Sequence, residues 1–435
     1  MTTISFLGAC REVGRSAILI ESKSGAKCML DYGIRFHGED RLPYNTNLKN
    51  LKAVALTHCH LDHSGALPFL YKTKKIPFFT NSISLAITEV LIRDMIKISN
   101  YLHPFGYREL DLLKQNSYFL NNGTRQKIHD NFFITFIDAG HIPGSVSILI
   151  EVDHKKILYS GDINTQITNL INPASSINIP EIDTLIIEST YALKEHPPRE
   201  QLEKDFAEKI IDITDNGGRV LIPAFGVARS QEALLILEKF NYSGKIFIDG
   251  LARKVSMLYL DYPDFIKNIK LFRKALKKAQ FVSRPKMRSK VKNTNGVIIS
   301  PSGMLKGGTA INYIQSILPD PFSAVYLVGY QVEGTPGRKL LDDGIFEFKE
   351  SRGHKNNHVD LKIKAKCDYN YFDFSSHSDK IHIHKYIKNL KFQKDSNLDV
   401  FCIHGDNKST TRLAGELVYK DYNSVAPETG EIYQV

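Results

Sequence analysis

The sequence predicts an α/β protein in which a strand-rich first portion is interrupted by a second α/β unit. Three observations carry that prediction. Short apolar runs alternate with Gly8, Gly14 and Gly25 over the first thirty or so residues, the pattern of strands joined by tight turns. The apolar run Ala53-Val54-Ala55-Leu56 leads directly into Thr57-His58-Cys59-His60-Leu61-Asp62-His63-Ser64-Gly65, so a buried strand ends in a loop rich in metal-binding side chains. Beyond Pro197-Pro198, helix-period and strand-period segments alternate, which argues for a parallel sheet covered on both faces and inserted into the first domain.

Length and composition bound the class. A chain of 435 residues suffices for two or three domains and a large core. With 42% hydrophobic and 24% charged residues it has the balance of an ordinary globular protein, and no apolar run reaches the roughly 18 residues that suggest a membrane span. Met1 to Gly8 shows neither a basic leader nor a long apolar segment, so no signal peptide is expected and the protein reads as cytoplasmic. Five widely spaced cysteines, Cys10, Cys28, Cys59, Cys367 and Cys402, form no Cys-x-x-Cys pair. That favours free thiols over a disulfide framework or a thiolate zinc site. A net charge of +10 draws polyanions; nucleic acid and acidic lipid both fit, and the lack of an amphipathic basic terminus makes a membrane the weaker partner.

In chain order, 4–7, 16–20 and 28–30 read as strands, and Asp31-Tyr32-Gly33 closes the third. On its own, an aspartate before glycine is a turn residue. After the histidine loop, 66–72 reads as helical, and a second helix is expected from Ser84, as its N-cap, to about Asn100. Strands over 132–137 and 146–152 flank a turn holding His141; a strand over 156–162 ends on Asp162; one over 184–191 carries Glu188. Single residues of this kind at strand ends are more often turn residues than ligands. Helices are then expected over 201–213, 230–240, 252–260 and 310–318, with strands over 219–224, 245–249, 297–300 and 324–328. Strands over 360–365 and into His404 close the reading.

The order His-x-His-x-Asp-His lets His58 and His60 converge on one ion while Asp62 and His63 turn toward a second, and imidazole with carboxylate suits zinc. Thr57 to Gly65 resembles the signature of the metallo-β-lactamase superfamily, which implies an αββα sandwich and metal-dependent hydrolysis but leaves the substrate open. Glu188-Ser189-Thr190-Tyr191 followed by His196-Pro197-Pro198-Arg199 resembles the first motif of the β-CASP group, the nucleic-acid-cleaving branch, although Ala192 stands where a glycine usually follows the tyrosine. Tyr371 to Asp379, containing His377, and Leu398 to Asp406, containing His404, resemble the second and third motifs.

The resemblance implies a metallo-β-lactamase domain over 1–194, an inserted β-CASP α/β domain over 195–365, and a return to the first domain over 366–435. It implies two zinc ions per chain: His58, His60 and His141 hold one, Asp62, His63 and His404 the other, and Asp162 bridges them. Asp31 takes a supporting role beside the centre, and Asp62 counts as catalytic as well as ligating. His377, oriented by Glu188, is the expected proton donor to the leaving oxygen, because a carboxylate beside an imidazole favours its protonated form. Cys59 has enough donors around it to be read as structural.

RNA is favoured over DNA because the third motif holds His404, where DNA-repair members typically carry valine. Gly8-Ala9-Cys10-Arg11-Glu12-Val13-Gly14-Arg15-Ser16 resembles the endonuclease subunit of the cleavage and polyadenylation specificity factor, especially its archaeal relatives. The chain opens at the catalytic domain, without the N-terminal KH extension of some of them, so the grip on RNA is expected from the insert. Arg229, at the head of a helix, and Ser302-Gly303, in a glycine-containing loop, are the residues expected there, with Ser378 of the second motif. Between Ile266 and Lys292 eleven lysines and arginines occur without an acid; a solvated face and a phosphate-contacting face are equally compatible. The expected activity is cleavage of single-stranded RNA, endonucleolytic with 5′-to-3′ trimming, in RNA processing or decay. A ribonuclease J-like 5′-exonuclease and a small-molecule metallo-hydrolase are the alternatives. A homodimer is expected by resemblance and from the apolar-polar tail Gly430 to Val435, which can pair with a partner chain or equally be a frayed terminus.

Overall fold

The computed structural model describes residues 1–35, 38, 40–73, 75–99, 101–177, 179–352, 357–392 and 399–435, with side chains described except at 350–352 and 357–359. The chain divides into two units: 1–167 with 172–195 and 376–435, and 168–171 with 196–375.

The first unit holds two seven-stranded sheets among the described residues. One runs Ile432–Gln434, Thr3–Phe6, Ile18–Glu21, Lys27–Leu30, Leu51–Ala55, Phe78–Thr80, Ser117–Phe119; the other runs Asn423–Val425, Asp399–Ile403, Thr184–Glu188, Lys155–Tyr159, Val146–Val152, Phe132–Asp138, Arg125–His129. Their central strands, such as Val146–Val152 and Thr184–Glu188, read as almost continuous apolar runs because both faces are buried. In Ile18–Glu21, Ile18 and Ile20 join a core shared with Phe132, Ile134 and Ile148 of the facing sheet, while Leu19 joins Leu67, Leu70 and Ile92 on the outer, helical side. The second sheet is covered in the same way by Ile383, Ile387, Leu413 and Leu417 of the helices Lys380–Asn389 and Asn407–Val418. Helix, sheet, sheet, helix is the resulting layer order.

The second unit is a six-stranded sheet in the order Ala279–Val282, Ile246–Asp249, Gly296–Ser300, Arg219–Pro223, Ala324–Leu327, Asp368–Tyr371, parallel throughout. Helices such as Arg199–Asp215, Arg229–Lys239 and Ala310–Ile317 alternate with these strands. A hairpin, Ile345–Arg352 with Asn357–Lys364, pairs only with itself among the described residues.

Four expectations take definite form. The helix expected from Ser84 spans Ser82–Ile98, with Asn81 as N-cap accepting from the Ser84 amide at 2.9 Å. The sequence boundary at 365/366 falls before Asp368–Tyr371, which pairs with Ala324–Leu327, so the chain returns to the first unit at Ser376. The basic stretch contains the helix Ile269–Lys278, which buries Phe272, Ala275 and Leu276; Lys274 and Lys278 are held by Glu238, and Arg288 by Asp249. The tail strand Ile432–Gln434 pairs antiparallel with Thr3–Ser5 of its own chain and forms the edge of its sheet.

Candidate metal centre

Every sequence-predicted ligand follows the C-terminal end of a strand or sits in the first turn after it. Asp31 follows Lys27–Leu30, the His58 to His63 loop follows Leu51–Ala55, His141 follows Phe132–Asp138, Asp162 follows Lys155–Tyr159, and His404 follows Asp399–Ile403. The loop residues His60 to Ser64 curl into one helical turn, with Leu61–Ser64 helical and His60 as its cap residue, and the His63 ring stays beside that of His58, centroid to centroid 4.2 Å.

Two groups of donors result. His58, His60 and His141 gather with Asp162, and Asp62, His63 and His404 form a second group. Within the first, His58 Nε2 lies 3.1 Å from His60 Nδ1, and His141 Nε2 lies 3.2 Å from the same atom. In the second, His63 Nε2 is 3.2 Å from His404 Nε2, which is 3.4 Å from Asp62 Oδ2. The Asp162 carboxylate spans both: Oδ2 is 3.5 Å from His58 Nε2 and 3.6 Å from His141 Nε2, while Oδ1 is 3.3 Å from His63 Nε2 and 3.2 Å from His404 Nδ1.

These spacings test the fit to a metal. Ligands placed tetrahedrally at about 2.0–2.1 Å from zinc stand about 3.3 Å from one another, which is the separation seen. Asp162 Oδ1 is buried and makes no hydrogen bond despite its two imidazole neighbours, whereas buried carboxylate oxygens are normally bonded. An all-imidazole-and-carboxylate donor set, closed to thiolate because Cys59 is buried and its thiol is pushed well up by burial, suits zinc.

Surrounding side chains fix the rings. Asp31, fully buried at φ 57°, accepts from the Thr57 amide (2.7 Å), the Thr57 hydroxyl (2.8 Å), the Tyr159 hydroxyl (2.9 Å) and His63 Nδ1 (2.8 Å). That last bond turns His63 Nε2 inward. His141 Nδ1 donates to the Ser376 carbonyl at 2.7 Å. His404, at φ 51°, gives its amide to the Ala9 carbonyl at 2.6 Å, and its Nδ1 lies 3.2 Å from the Thr190 hydroxyl. The sequence reading assigned no role to Thr57, Tyr159, Thr190, Ser376 or Ala9; Tyr159, three residues before Asp162, is the one that chain position could have flagged.

Electrostatics follow the same geometry. Burial, then the charge on His63, holds His58 well below the ordinary histidine value. Burial opposes protonation of His63 too, but Asp162 and Asp31 outweigh it and hold that ring well above the ordinary value. For Asp62, burial is outweighed by the His404 hydrogen bond and the His63 charge, which bring its carboxyl down to about 2. Asp162 is likewise held well below the carboxylate range, against burial, by His404 and His63.

His377 stands beside both groups, its ring centroid 4.5 Å from that of His141 and 6.4 Å from that of His404. Its Nδ1 donates to Glu188, 2.8 Å from Oε2 and 3.0 Å from Oε1. Glu188 also lies near Asp162 and His404, but its Oε1 accepts the Ile163 amide at 2.7 Å and the carboxylate as a whole is engaged by His377, so we assign it to His377 rather than to a metal.

The expected RNA-contacting residues fare differently. Ser378 is fully buried, its hydroxyl bonded to the Thr165 amide (3.0 Å) and its amide to the Ile163 carbonyl, so it braces the His377 loop. Arg229 is the first residue of the helix Arg229–Lys239 and is 9% exposed. Ser302 caps its own loop, accepting the Lys306 amide at 3.1 Å, and a Cβ on Gly303 would stand 3.1 Å from the Phe225 amide nitrogen.

Fold and site together define a hydrolase of the metallo-β-lactamase type. Comparison with known proteins narrows this. Residues 230–340 match the family described as Beta-Casp domain, residues 362–427 match the Zn-dependent metallo-hydrolase RNA specificity domain, and residues 7–182 match the family of the anti-Pycsar protein Apyc1. The chain is 33% identical over 434 residues to RNase aCSPSF2 of Saccharolobus solfataricus, spanning 98% of this chain and 84% of that one. It is 34% identical over 441 residues to Probable RNase MJ4 of Methanocaldococcus jannaschii, spanning 98% and 99%, and 36% identical over 408 residues to an RNase J-like protein of the same organism, spanning 90% of each. A solved structure of an Enterococcus faecalis V583 protein shares the fold, with a TM-score of 0.62 over 99% of both chains at 15% identity. The chain belongs to the β-CASP ribonucleases of the metallo-β-lactamase superfamily, enzymes that act on RNA phosphodiester bonds.

Proposed function

We propose that this chain is a zinc-dependent ribonuclease that cuts single-stranded RNA internally, with 5′-to-3′ trimming from exposed ends, in RNA processing or decay. Two zinc ions per chain would be held by His58, His60 and His141 and by Asp62, His63 and His404, with Asp162 shared. The observation that carries this reading is the Asp162 carboxylate, one oxygen among the first histidines and the other among the second. Bound as a pair, the ions supply a water of lowered pKa and offset charge on a phosphoryl oxygen.

The protein's own groups do the rest. Asp31 keeps His63 turned inward, and the Ser376 carbonyl does the same for His141. With Nδ1 committed to Glu188, His377 delivers its proton from Nε2 to the departing 3′ oxygen, an alkoxide that leaves poorly without one. The products then carry a 3′-hydroxyl and a 5′-phosphate. In the second unit, Arg229 and the Ser302-Gly303 loop are proposed to contact the RNA backbone. Five unpaired, buried cysteines support a cytoplasmic setting; no described helix is long and apolar enough to cross a membrane. A homodimer remains part of the proposal, through the outer edge of Ile432–Gln434, where Ile432 is exposed; sedimentation showing only monomer at micromolar concentration overturns it.

The 36% identity to an RNase J-like protein supports the second reading, a 5′-exonuclease. One RNA, labelled at its 5′ end when linear and also supplied as a circle, separates the two. Cleavage of the circle requires internal cutting, and an intact circle beside a degraded linear RNA overturns the endonuclease proposal.

A further inference from the structure

The helix Ser82–Ile98 begins against Gly144, whose carbonyl accepts from Asn81 and Ser84 beside the His141 turn. It runs 17 residues, about 25 Å, before the chain turns away. At that far end a cavity of about 260 Å³ is lined by Ile96, Ser99, Tyr101, Leu102, His103 and Phe105. Its aromatic rings alternate along the chain: Tyr101 and His103 meet edge to face at 5.0 Å, and His103 and Phe105 lie 5.4 Å apart. The Arg41 guanidinium sits 4.4 Å over the Tyr101 ring.

Both ring nitrogens of His103 are buried and lack a hydrogen-bond partner. Buried polar atoms are almost always bonded, to protein or to ordered water, so the ring lines the cavity with hydrogen-bonding capacity that no protein group uses. Burial, and then the Arg41 charge, hold His103 below the ordinary histidine value; the neutral imidazole offers one donor and one acceptor. Leu102 is 92% exposed, an apolar side chain left in water at the rim.

The chemistry that matches these features is a planar heterocycle with donors and acceptors on its edge and a phosphate attached. Bases of single-stranded nucleic acid stack on aromatic side chains, a neutral histidine pairs with a base edge, and a guanidinium engages a phosphate. The cavity is smaller than the roughly 300–1,000 Å³ of a drug-sized ligand's site, which suits one base rather than a folded ligand. We propose that this cavity on the catalytic unit holds a single base of the RNA substrate, several nucleotides from the bond that is cut. The proposal rests on RNA being the substrate.

The test scans one abasic nucleotide through a single-stranded RNA and reads KM and kcat with the zinc-loaded protein. For the wild type, one register away from the cut bond should raise KM by about 5- to 150-fold, the usual worth of one base on an aromatic ring, with kcat little changed. Tyr101→Ala should raise KM on the intact RNA by a comparable factor and erase the dependence on register. His103→Phe keeps the ring and removes the hydrogen bonds, so it should retain the register and level the preference among the four bases there. RNA cut normally by the wild type with a flat abasic scan overturns the proposal. So does a Tyr101→Ala protein that binds weakly yet keeps the wild-type scan, since that marks a structural role. A wild type that cuts no RNA overturns the ribonuclease reading instead.

Discussion

Replacing His377 with alanine separates proton delivery from metal holding. His377 makes its bonds to Glu188, at 2.8 and 3.0 Å, and meets the His141 ligand only ring to ring at 4.5 Å. The Ile163 amide continues to hold Glu188 in the variant, so the donor groups keep their places and zinc content should stay at about two per chain. What is lost is the proton given to the leaving oxygen, worth about 10²–10⁴-fold, or roughly 2.7–5.4 kcal/mol of barrier. His404→Ala instead removes a member of the Asp62, His63, His404 group and should lower zinc content. The assay compares RNA with a nitrophenyl phosphodiester, whose leaving group needs no proton. His377→Ala should fall by the full factor on RNA and be nearly normal on the nitrophenyl ester, while His404→Ala is impaired on both. Equal losses for His377→Ala on the two substrates would refute the acid assignment.

Asp31→Asn keeps the shape but not the charge that orients His63, and should weaken zinc binding by about 10- to 100-fold in a competition titration. Gly33→Ala places a Cβ 1.7 Å from the Asp62 carbonyl oxygen, so the turn that carries Asp62 and His63 must move; zinc content should drop even where the protein still folds. Arg288→Ala leaves Asp249, fully buried, with only the Tyr313 hydroxyl and the Gly250 amide. Denaturant unfolding should show a loss of about 3 kcal/mol, the lower end for breaking a buried pair, against a change within about 0.5 kcal/mol for the exposed Lys286→Ala. Lys270, Arg273 and Lys277 lie exposed on one face of Ile269–Lys278; replacing all three by alanine should reduce the slope of log affinity against log salt by about 2 for single-stranded RNA, and an unchanged slope would assign that face to solvent.

The parts of the site that were legible from sequence are those set by local chain geometry. His58 to His63 occupy one loop after one strand, so their convergence follows from a single turn of helix. Asp31, Asp162 and His404 lie far apart in sequence, and only the resemblance joined them to that loop. Tyr159 escaped notice because its role depends on two sheets facing each other, reaching Asp31 across the sandwich, 128 positions away; Thr57 did because its bond to Asp31 joins the ends of two neighbouring strands of one sheet. The start of the helix Ser82–Ile98 was misplaced because Asn81, Ser82 and Ser84 are all good caps. Asn81 takes the role, its Oδ1 accepting the Ser84 amide, while the Ser84 hydroxyl is drawn off to the Gly144 carbonyl, a contact no local rule contains. The helix Ile269–Lys278 was hidden by its charge, although Phe272, Ala275 and Leu276 have the i, i+3, i+4 spacing of a buried stripe.

A common logic runs through the histidines. His63, His141 and His377 each spend Nδ1 on an outer acceptor, respectively Asp31, the Ser376 carbonyl and Glu188, and so present Nε2 to the centre. His58 Nδ1 lies 3.1 Å from the Thr57 hydroxyl, itself bonded to Asp31, so the first and second donor groups share one buried carboxylate as their outer anchor. His60 departs from the pattern, turning Nδ1 inward, 3.1 Å from His58 Nε2 and 3.2 Å from His141 Nε2. Two of the outer acceptors sit at strand ends, Asp31 after Lys27–Leu30 and Glu188 at the end of Thr184–Glu188, one in each sheet. The tautomers and ring directions are therefore set by the packing of the two sheets against each other, and the donor geometry is a property of the sandwich core rather than of the loops that carry the ligands.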